Sequence, residues 1–249
     1  VSLADAARRA GVDPDAIGPD RQRLDLIGAF IELHVEQGRL LHAADPTAAI
    51  GVGSQIVAHG RWRLTITGRG NHAGTTVVDD RHDPMIPAAG AVLAARRIIA
   101  AHPGAVATVG RIRPNPGGTN VIASSVDLWL DVRHGTATDT ASVVDAIVGA
   151  VRDEADLEGC SLLVHRESLS DHVDLDPGLE VDLAERLGAP VIPTGAGHDA
   201  GILAAQVPAG MLFVRNPSGI SHAPGEHAET SDCLVGVDAL ADVLEGLVD

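Results

Sequence analysis

Three histidines stand in segments whose residue types are typical of metal binding. His34 lies in ELHVEQG, residues 32–38, where an imidazole and carboxylates interrupt an apolar run. His222 lies in GISHAPGE, a loop that follows an apolar segment, and His198 lies in the glycine-rich stretch TGAGHDA. Imidazole nitrogens and carboxylate oxygens are common protein ligands of Zn²⁺, so the three segments are candidates for one metal centre.

The predicted strands indicate how these segments meet. IGAFIELHV alternates apolar and polar side chains, which predicts a strand with Glu32 and His34 on the same face. His34 then lies near the carboxyl end of its strand, where open α/β sheets bind their ligands. The loop of His222 follows a second predicted strand, AGMLFV. A single strand-end histidine is more commonly a hydrogen-bonded structural residue, and that alternative stays open for each of them.

Polar groups of another kind lie in the middle of the chain. His72 is part of NHAGTT, a loop of small residues, and Asn120 is part of TNVIAS. Arg133 ends DVR, and its guanidinium offers a bidentate fork for a carboxylate. The alternatives are a solvated loop histidine at residue 72 and a surface salt bridge at residue 133.

The order of predicted elements indicates two domains in an α/β chain. Residues 58–170 read as β-α-β-β-α-β, the order of a ferredoxin-like α+β unit. The flanking segments have an α/β rhythm, with helices predicted at SLADAARRAG, after Asp176-Pro177, and from Ser231. The simplest organisation is an α/β domain of residues 1–57 and 171–249, interrupted by a smaller domain of residues 58–170.

Composition limits the partners. The net charge of −16 comes from 34 acidic and 18 basic residues, and every basic residue other than histidine is arginine. Such a surface argues against nucleic acid and anionic membranes as partners. Cys160 and Cys233 form no CxxC pair, so a reducing cytoplasm is the expected location. The sequence also contains no GxSxG elbow and no GxxxxGK[ST] loop.

Five motifs in this order, ELHVEQG, GRGNHAGTT, TNVI with DVR, GAGHDA and GISHAPGE, resemble the amidase, hydantoinase and carbamoylase branch of the M20 metallopeptidase clan. The resemblance implies a zinc-peptidase-like catalytic domain with an inserted ferredoxin-like lid and dimerisation domain. It further implies a homodimer that cleaves the C–N bond of an N-carbamoyl-L-amino acid or a related ureido acid, such as allantoate or β-ureidopropionate. The implied cofactors are two divalent metal ions, Zn²⁺, Mn²⁺ or Co²⁺.

The resemblance also implies roles for single residues. His34 and His222 correspond to ligands of the two metals, one for each ion. His198 and Asp199 correspond to a motif that shapes the pocket, without a direct bond to the metals.

The resemblance implies that four residues contact the substrate. Gln37 resembles a substrate-contacting glutamine, and His72 resembles the lid histidine that reaches the partner subunit's active site and polarises the scissile carbonyl. Asn120 and Arg133 resemble the pair that binds the carboxylate end of the substrate.

The sequence departs from the family pattern upstream of ELHVEQG. The family's first metal-binding histidine, bridging aspartate and Glu-Glu pair precede that motif, whereas the 33 residues before His34 contain no histidine and no Glu-Glu pair. The expected catalytic domain is therefore N-terminally incomplete, and the alternative function is a truncated, catalytically inactive dimeric fragment. A relative that acts on peptides is a further option. TTVV and NVIA replace the usual TTPM and NVIP without removing a functional group.

Overall fold

The computed structural model describes residues 1–248. The helices are α1 Leu3–Arg9, α2 Arg21–Leu24, α3 Leu40–Ala44, α4 Met85–Ile99, α5 Ala137–Leu157, α6 Pro177–Leu187, α7 Asp199–Leu203 and α8 Thr230–Val248. The strands are β1 Phe30–Val35, β2 Ile50–Ile56, β3 Ala58–Thr67, β4 Asn71–His72, β5 Val106–Asn115, β6 Val121–Ile122, β7 Ser125–His134, β8 Ser161–Ser170, β9 Val173–Asp174, β10 Val191–Thr194 and β11 Ala209–Val214. The predicted α/β class is confirmed.

The chain divides into two compact units. The first unit consists of Val1–Ser54, Leu175–Ile192 and His198–Asp249, and the second unit consists of Gln55–Asp174 and Pro193–Gly197. The assignment of a catalytic role to one unit and a lid and dimerisation role to the other stays a prediction.

The first unit is built on a sheet with strand order β1-β11-β2-β10. β1 runs parallel to β11, with Glu32 opposite Met211 and His34 opposite Phe213. Because the two strands are parallel, the segment that follows β1 and the segment that follows β11 leave the sheet at the same edge. That edge therefore carries both the end of ELHVEQG and the loop of His222.

Apolar clusters cover both faces of this sheet, which explains the strongly apolar sequence of β11. On one face the buried cluster is Leu41, Leu175, Ile192, Ala200, Ala209, Met211 and Phe213. On the other face it is Ile50, Val52, Leu179, Leu183, Leu212, Ala239 and Val243, which brings α6 and α8 against the strands. Strands that are buried on both faces read as continuous apolar runs.

Helix ends follow the predicted caps in two places and depart from them in a third. The Ser2 hydroxyl accepts from the Asp5 amide in a complete capping box, and Asp176 caps α6, which stops at Gly188 with φ +58°. The pair Asp83-Pro84 predicts a helix start with Asp83 as the N-cap, but Pro84 occupies that position in α4. The Asp83 carboxylate instead accepts from the Met85 amide at 3.0 Å from one residue further out.

The second unit contains a four-stranded antiparallel sheet of order β5-β7-β3-β8. With α4 and α5 in the connections, this order is ferredoxin-like, as predicted. One sheet face packs against the two helices through a buried cluster that includes Leu64, Leu128, Val143 and Ile147. A separate two-stranded element pairs β4 with β6.

Within residues 1–248, no helix combines the length and apolar character needed to cross a bilayer. Cys160 is buried and Cys233 is partly exposed, and both are free thiols.

Candidate metal and substrate site

Glu32, His34 and His198 form a cluster in the first unit. Their potential ligand atoms all lie within 4.8 Å of one another. Among residues 1–248, this is the group of three or more His, Cys, Asp or Glu side chains that is close enough to hold a metal ion. Glu32 and His34 share one face of β1, as the alternation predicted, while His198 immediately precedes α7. The cluster therefore joins the ELHVEQG and GAGHDA motifs, which are far apart in the sequence.

The His34 ring is oriented by its own strand. Its Nδ1 lies 2.7 Å from the carbonyl oxygen of Val35. Because a carbonyl oxygen only accepts, Nδ1 carries the proton and donates, and the lone pair is at Nε2. A histidine held in this way by a backbone carbonyl has the usual tautomer of a metal ligand.

The His198 ring is almost completely buried, with a side-chain exposure of 2%. Its Nδ1 lies 3.3 Å from Oε1 of Glu32, and its Nε2 is a buried atom without a hydrogen-bond partner in residues 1–248. Burial lowers the pKa of His198, with Glu32 opposing this change, so the ring is neutral at pH 7. A buried polar atom without a partner is uncommon and indicates a place for a ligand, an ion or a water.

Glu32 orients this cluster and is not well placed to be a ligand itself. Its Oε2 accepts from the Ala200 amide at 2.7 Å, and its Oε1 faces His198 Nδ1. Both carboxylate oxygens are thus engaged by N–H groups, whereas His34 and His198 each keep an Nε2 lone pair. Two neutral imidazoles fit a divalent ion such as Zn²⁺, although tight sites use three or four protein ligands.

The sequence grouped the segment of His198 with that of His34 in one candidate centre, and in the structure the two rings lie side by side. The short distance depends on the packing of α7 against β1, which no local pattern reports. The glycine-rich segment before a short helix was the available signal, since functional residues often lie on such loops.

His222 lies in an exposed loop outside the cluster of Glu32, His34 and His198. Its φ of +55° is left-handed, which is uncommon for a residue other than glycine. The Glu226 carboxylate fixes the loop by accepting from the His222 amide at 3.0 Å and from the Ser221 hydroxyl at 3.2 Å. Strained conformations of this kind concentrate at functional sites, and a metal role for His222 stays a prediction.

The turn that contains Gln37 is held by its neighbour. The carboxylate of Glu36 is buried and accepts from the amides of Leu40 at 2.5 Å and Leu41 at 3.2 Å. Burial raises the pKa of Glu36, and the two amides oppose that rise. These bonds close the turn between β1 and α3 and fix the backbone of the half-buried Gln37.

In the second unit, His72 and Asn120 are brought together by the pairing of β4 with β6. Val121 is opposite His72 in that pair, and the Asn120 carbonyl accepts from the Ala73 amide at 3.0 Å. The Gly74 amide donates to Nδ1 of His72 at 3.1 Å, so Nδ1 is unprotonated and Nε2 carries the proton. The exposed His72 therefore presents an N–H donor.

Arg133 forms the salt bridge that was the alternative to substrate binding. Its Nε donates to Asp131 at 2.9 Å, and Nη1 donates to the carbonyl oxygen of Gly195. The guanidinium is held in a fixed direction by these two acceptors. A role in binding a substrate carboxylate stays a prediction.

The comparison with known families decides the classification. Residues 16–246 match the model of the family described as Peptidase family M20/M25/M40. The chain belongs to this family. The M20 resemblance is therefore confirmed, and members of this family are metal-dependent hydrolases.

The M20 relatives include enzymes that act on C–N bonds outside peptides. An N-carbamoyl-L-amino acid amidohydrolase of Geobacillus stearothermophilus is 36% identical over 96% of this chain and 59% of the relative. An allantoate amidohydrolase of Escherichia coli is 34% identical over 98% of this chain and 60% of the relative. A solved amidase of the hydantoinase/carbamoylase family from Burkholderia vietnamiensis, 28% identical, gives a TM-score of 0.84 over 97% of this chain and 59% of that one.

This M20 chain spans only part of the length of its relatives. The first four curated relatives are covered over 59%, 57%, 61% and 60% of their length. The solved structure of AtUAH in complex with (S)-hydroxyglycine, with a TM-score of 0.87 and 28% identity, is covered over 61%. The family is therefore shown, and the activity of the whole protein is a matter for proposal.

Proposed function

We propose that this protein is part of a metal-dependent amidohydrolase that cleaves the C–N bond of an N-carbamoyl-L-amino acid or a related ureido acid, such as allantoate or β-ureidopropionate. The observation that carries the proposal is the pair of imidazoles, His34 and His198, whose Nε2 atoms are both free to accept. The pair occurs in a chain similar to carbamoylases and allantoate amidohydrolases.

The proposed cofactors are two divalent ions, Zn²⁺, Mn²⁺ or Co²⁺, with His34 and His222 as ligands of one ion each. The shared sheet edge that follows β1 and β11 supports this choice, because both histidine segments leave the sheet there. When bound, such ions polarise the scissile carbonyl and lower the pKa of a water molecule. The chain's own contribution is to hold neutral imidazoles in a fixed orientation.

The substrate contacts are proposed for Gln37, His72, Asn120 and Arg133. His72 presents an Nε2–H donor, as a group that stabilises negative charge on a carbonyl oxygen requires. Arg133 and Asn120 supply N–H donors for the substrate carboxylate. Gln37 supplies a side-chain amide for the substrate, on a turn that Glu36 fixes. This set favours ureido acids that carry a carboxylate.

We also propose a cytoplasmic homodimer formed through the second unit, in which His72 acts on substrate bound by the partner subunit. The support is the pair of outer strands β5 and β8 together with apolar side chains that are exposed, including Leu93 at 71% and Leu163 at 68%. Outer strands and exposed apolar groups are common interface elements. Light scattering should give twice the monomer mass, and a monomer at micromolar concentration would contradict the dimer.

The activity test compares substrate classes. The purified protein is supplied with Zn²⁺, Mn²⁺ or Co²⁺ and given N-carbamoyl-L-amino acids, allantoate, β-ureidopropionate and dipeptides. Release of ammonia from a ureido substrate, with little dipeptide cleavage, is the expected result. Dipeptide cleavage alone would favour a peptidase, and no turnover of any substrate would favour the inactive dimeric fragment.

A further inference from the structure

We propose that Glu32 is a positioning residue that fixes His198 as the Nδ1–H tautomer, so that Nε2 enters the site as an acceptor beside His34. The importance of this arrangement for catalysis rests on the proposed function. The tautomer itself is a property of the chain and can be measured without turnover.

The two oxygens of Glu32 are not equivalent. Oε2 accepts from the Ala200 amide at 2.7 Å, and an amide nitrogen in a peptide bond can only donate. This bond ties the carboxylate of β1 to the first turn of α7 and leaves Oε1 directed at Nδ1 of His198, 3.3 Å away. A carboxylate oxygen only accepts, so the hydrogen of the neutral ring must be on Nδ1.

Burial strengthens this preference. The side chains of His198 and Glu32 are only 2% and 16% exposed, so water screens their interaction weakly. In the opposite tautomer, the Nδ1 lone pair would face the carboxylate, and the buried Nε2–H would have no acceptor within hydrogen-bond distance among residues 1–248. The edge of the fully buried Phe213 ring, with its centroid 5.8 Å from that of His198, limits rotation of the imidazole.

The two imidazoles thus reach the same tautomer by different means. His34 donates from Nδ1 to the Val35 carbonyl of its own strand, whereas His198 depends on a carboxylate from a different part of the chain. A backbone carbonyl cannot be removed by a substitution, but Glu32 can. Glu32 therefore controls the acceptor state of His198 alone, and a change at residue 32 should leave His34 unaffected.

The test is the ring tautomer, read from the ¹⁵N chemical shifts of histidine-labelled, metal-free protein at pH 7 to 8. The His198 signals are assigned by their loss in H198Q. In the wild type, Nδ1 should be protonated and Nε2 unprotonated. In E32Q, the amide oxygen of glutamine can keep the bond from Ala200 while its NH₂ group turns to Nδ1, so the ratio of the two tautomers should invert.

A matched control separates hydrogen bonding from charge. Asp199 is exposed and adjacent to His198, so D199N removes a nearby negative charge without replacing the carboxylate that faces Nδ1. D199N should keep the Nδ1–H form, and the His34 ring signals should be unchanged in both variants. Retention of Nδ1–H in E32Q, or an equal change in D199N, would overturn the inference.

The wild-type spectrum is decisive even if E32Q does not fold, because His198 as the Nε2–H tautomer would refute the inference directly. The result is also independent of the activity assay. An inactive protein with His198 in the Nδ1–H form would refute the proposed function and support the role of Glu32. An active protein with the Nε2–H form would do the reverse.

Discussion

His34 and His198 lie edge to face, with ring centroids 4.8 Å apart and ring planes inclined by 71°. One ring belongs to a strand and the other to the segment before a short helix, and each has its Nδ1 engaged by a different acceptor. The site therefore depends on the strand and the helix being packed correctly. Substitution of either ring should therefore change the geometry of the site.

Metal affinity should depend on His34 most strongly. H34A removes a proposed ligand, so we expect its affinity for Zn²⁺ to fall by more than the roughly 10- to 100-fold that follows loss of a residue that only orients a ligand. E32Q alters the ring of His198, which is not a proposed ligand, so its affinity for Zn²⁺ should stay within a few-fold of the wild-type value. Isothermal titration measures both. H165A, which removes an exposed histidine of β8, is the control and should bind as the wild type does.

Stability should fall when the carboxylate of Glu36 is removed. E36A leaves the amides of Leu40 and Leu41 without their acceptor, and we expect the free energy of unfolding to decrease by about 2 kcal/mol. Urea unfolding monitored by circular dichroism gives this value. E185A, at an exposed position of α6, should change the free energy by less than about 0.5 kcal/mol. Equal stabilities of E36A and E185A would contradict the capping role.

The ion pair between Asp242 and Arg186 should make stability depend on pH. Hydrogen bonds from Arg186 hold the pKa of Asp242 below its ordinary value of 3.8, so the pair stabilises the fold above that pH. The stabilisation is lost as the pH falls through the lower, folded-state pKa. In thermal melts at pH 7, the Tm of D242N should therefore be lower than that of the wild type. The difference in Tm should vanish in strong acid. D145N, at an exposed carboxylate of α5, should show no such pH-dependent difference.

Substitution of His72 should lower the rate of hydrolysis more than it weakens substrate binding. Because an Nε2–H donor acts on charge that develops at the carbonyl oxygen, H72A should lower kcat by about 10²- to 10³-fold. KM should change by a much smaller factor. Steady-state kinetics with an N-carbamoyl-L-amino acid give both quantities. A large rise in KM at constant kcat would instead assign His72 to ground-state binding.

The elements that the sequence predicted are those set by local patterns. The alternation in β1 placed Glu32 and His34 on one face, and Asp176, Pro177 and Gly188 fixed both ends of α6. The ferredoxin-like order of the second unit followed from the spacing of its apolar residues. These features need only neighbouring residues, which is why the sequence was sufficient.

The features that escaped prediction depend on distant contacts or on backbone geometry. The sequence grouped the segments of His34 and His198, but it did not predict the bond from the Ala200 amide to Glu32 that links them. The short helix α3 was not predicted, since its amides are held by a carboxylate that lies outside it, on Glu36. The left-handed backbone of His222 is likewise invisible in a sequence pattern that lacks a glycine at that position.

The most direct test of the account is metal-dependent release of ammonia from an N-carbamoyl-L-amino acid, measured before chelation, after chelation, and after Zn²⁺, Mn²⁺ or Co²⁺ is restored. The account predicts that chelation abolishes the release, that at least one of these ions restores it, and that none restores it in H34A. Release that survives chelation, or an H34A protein as active as the wild type, would contradict it.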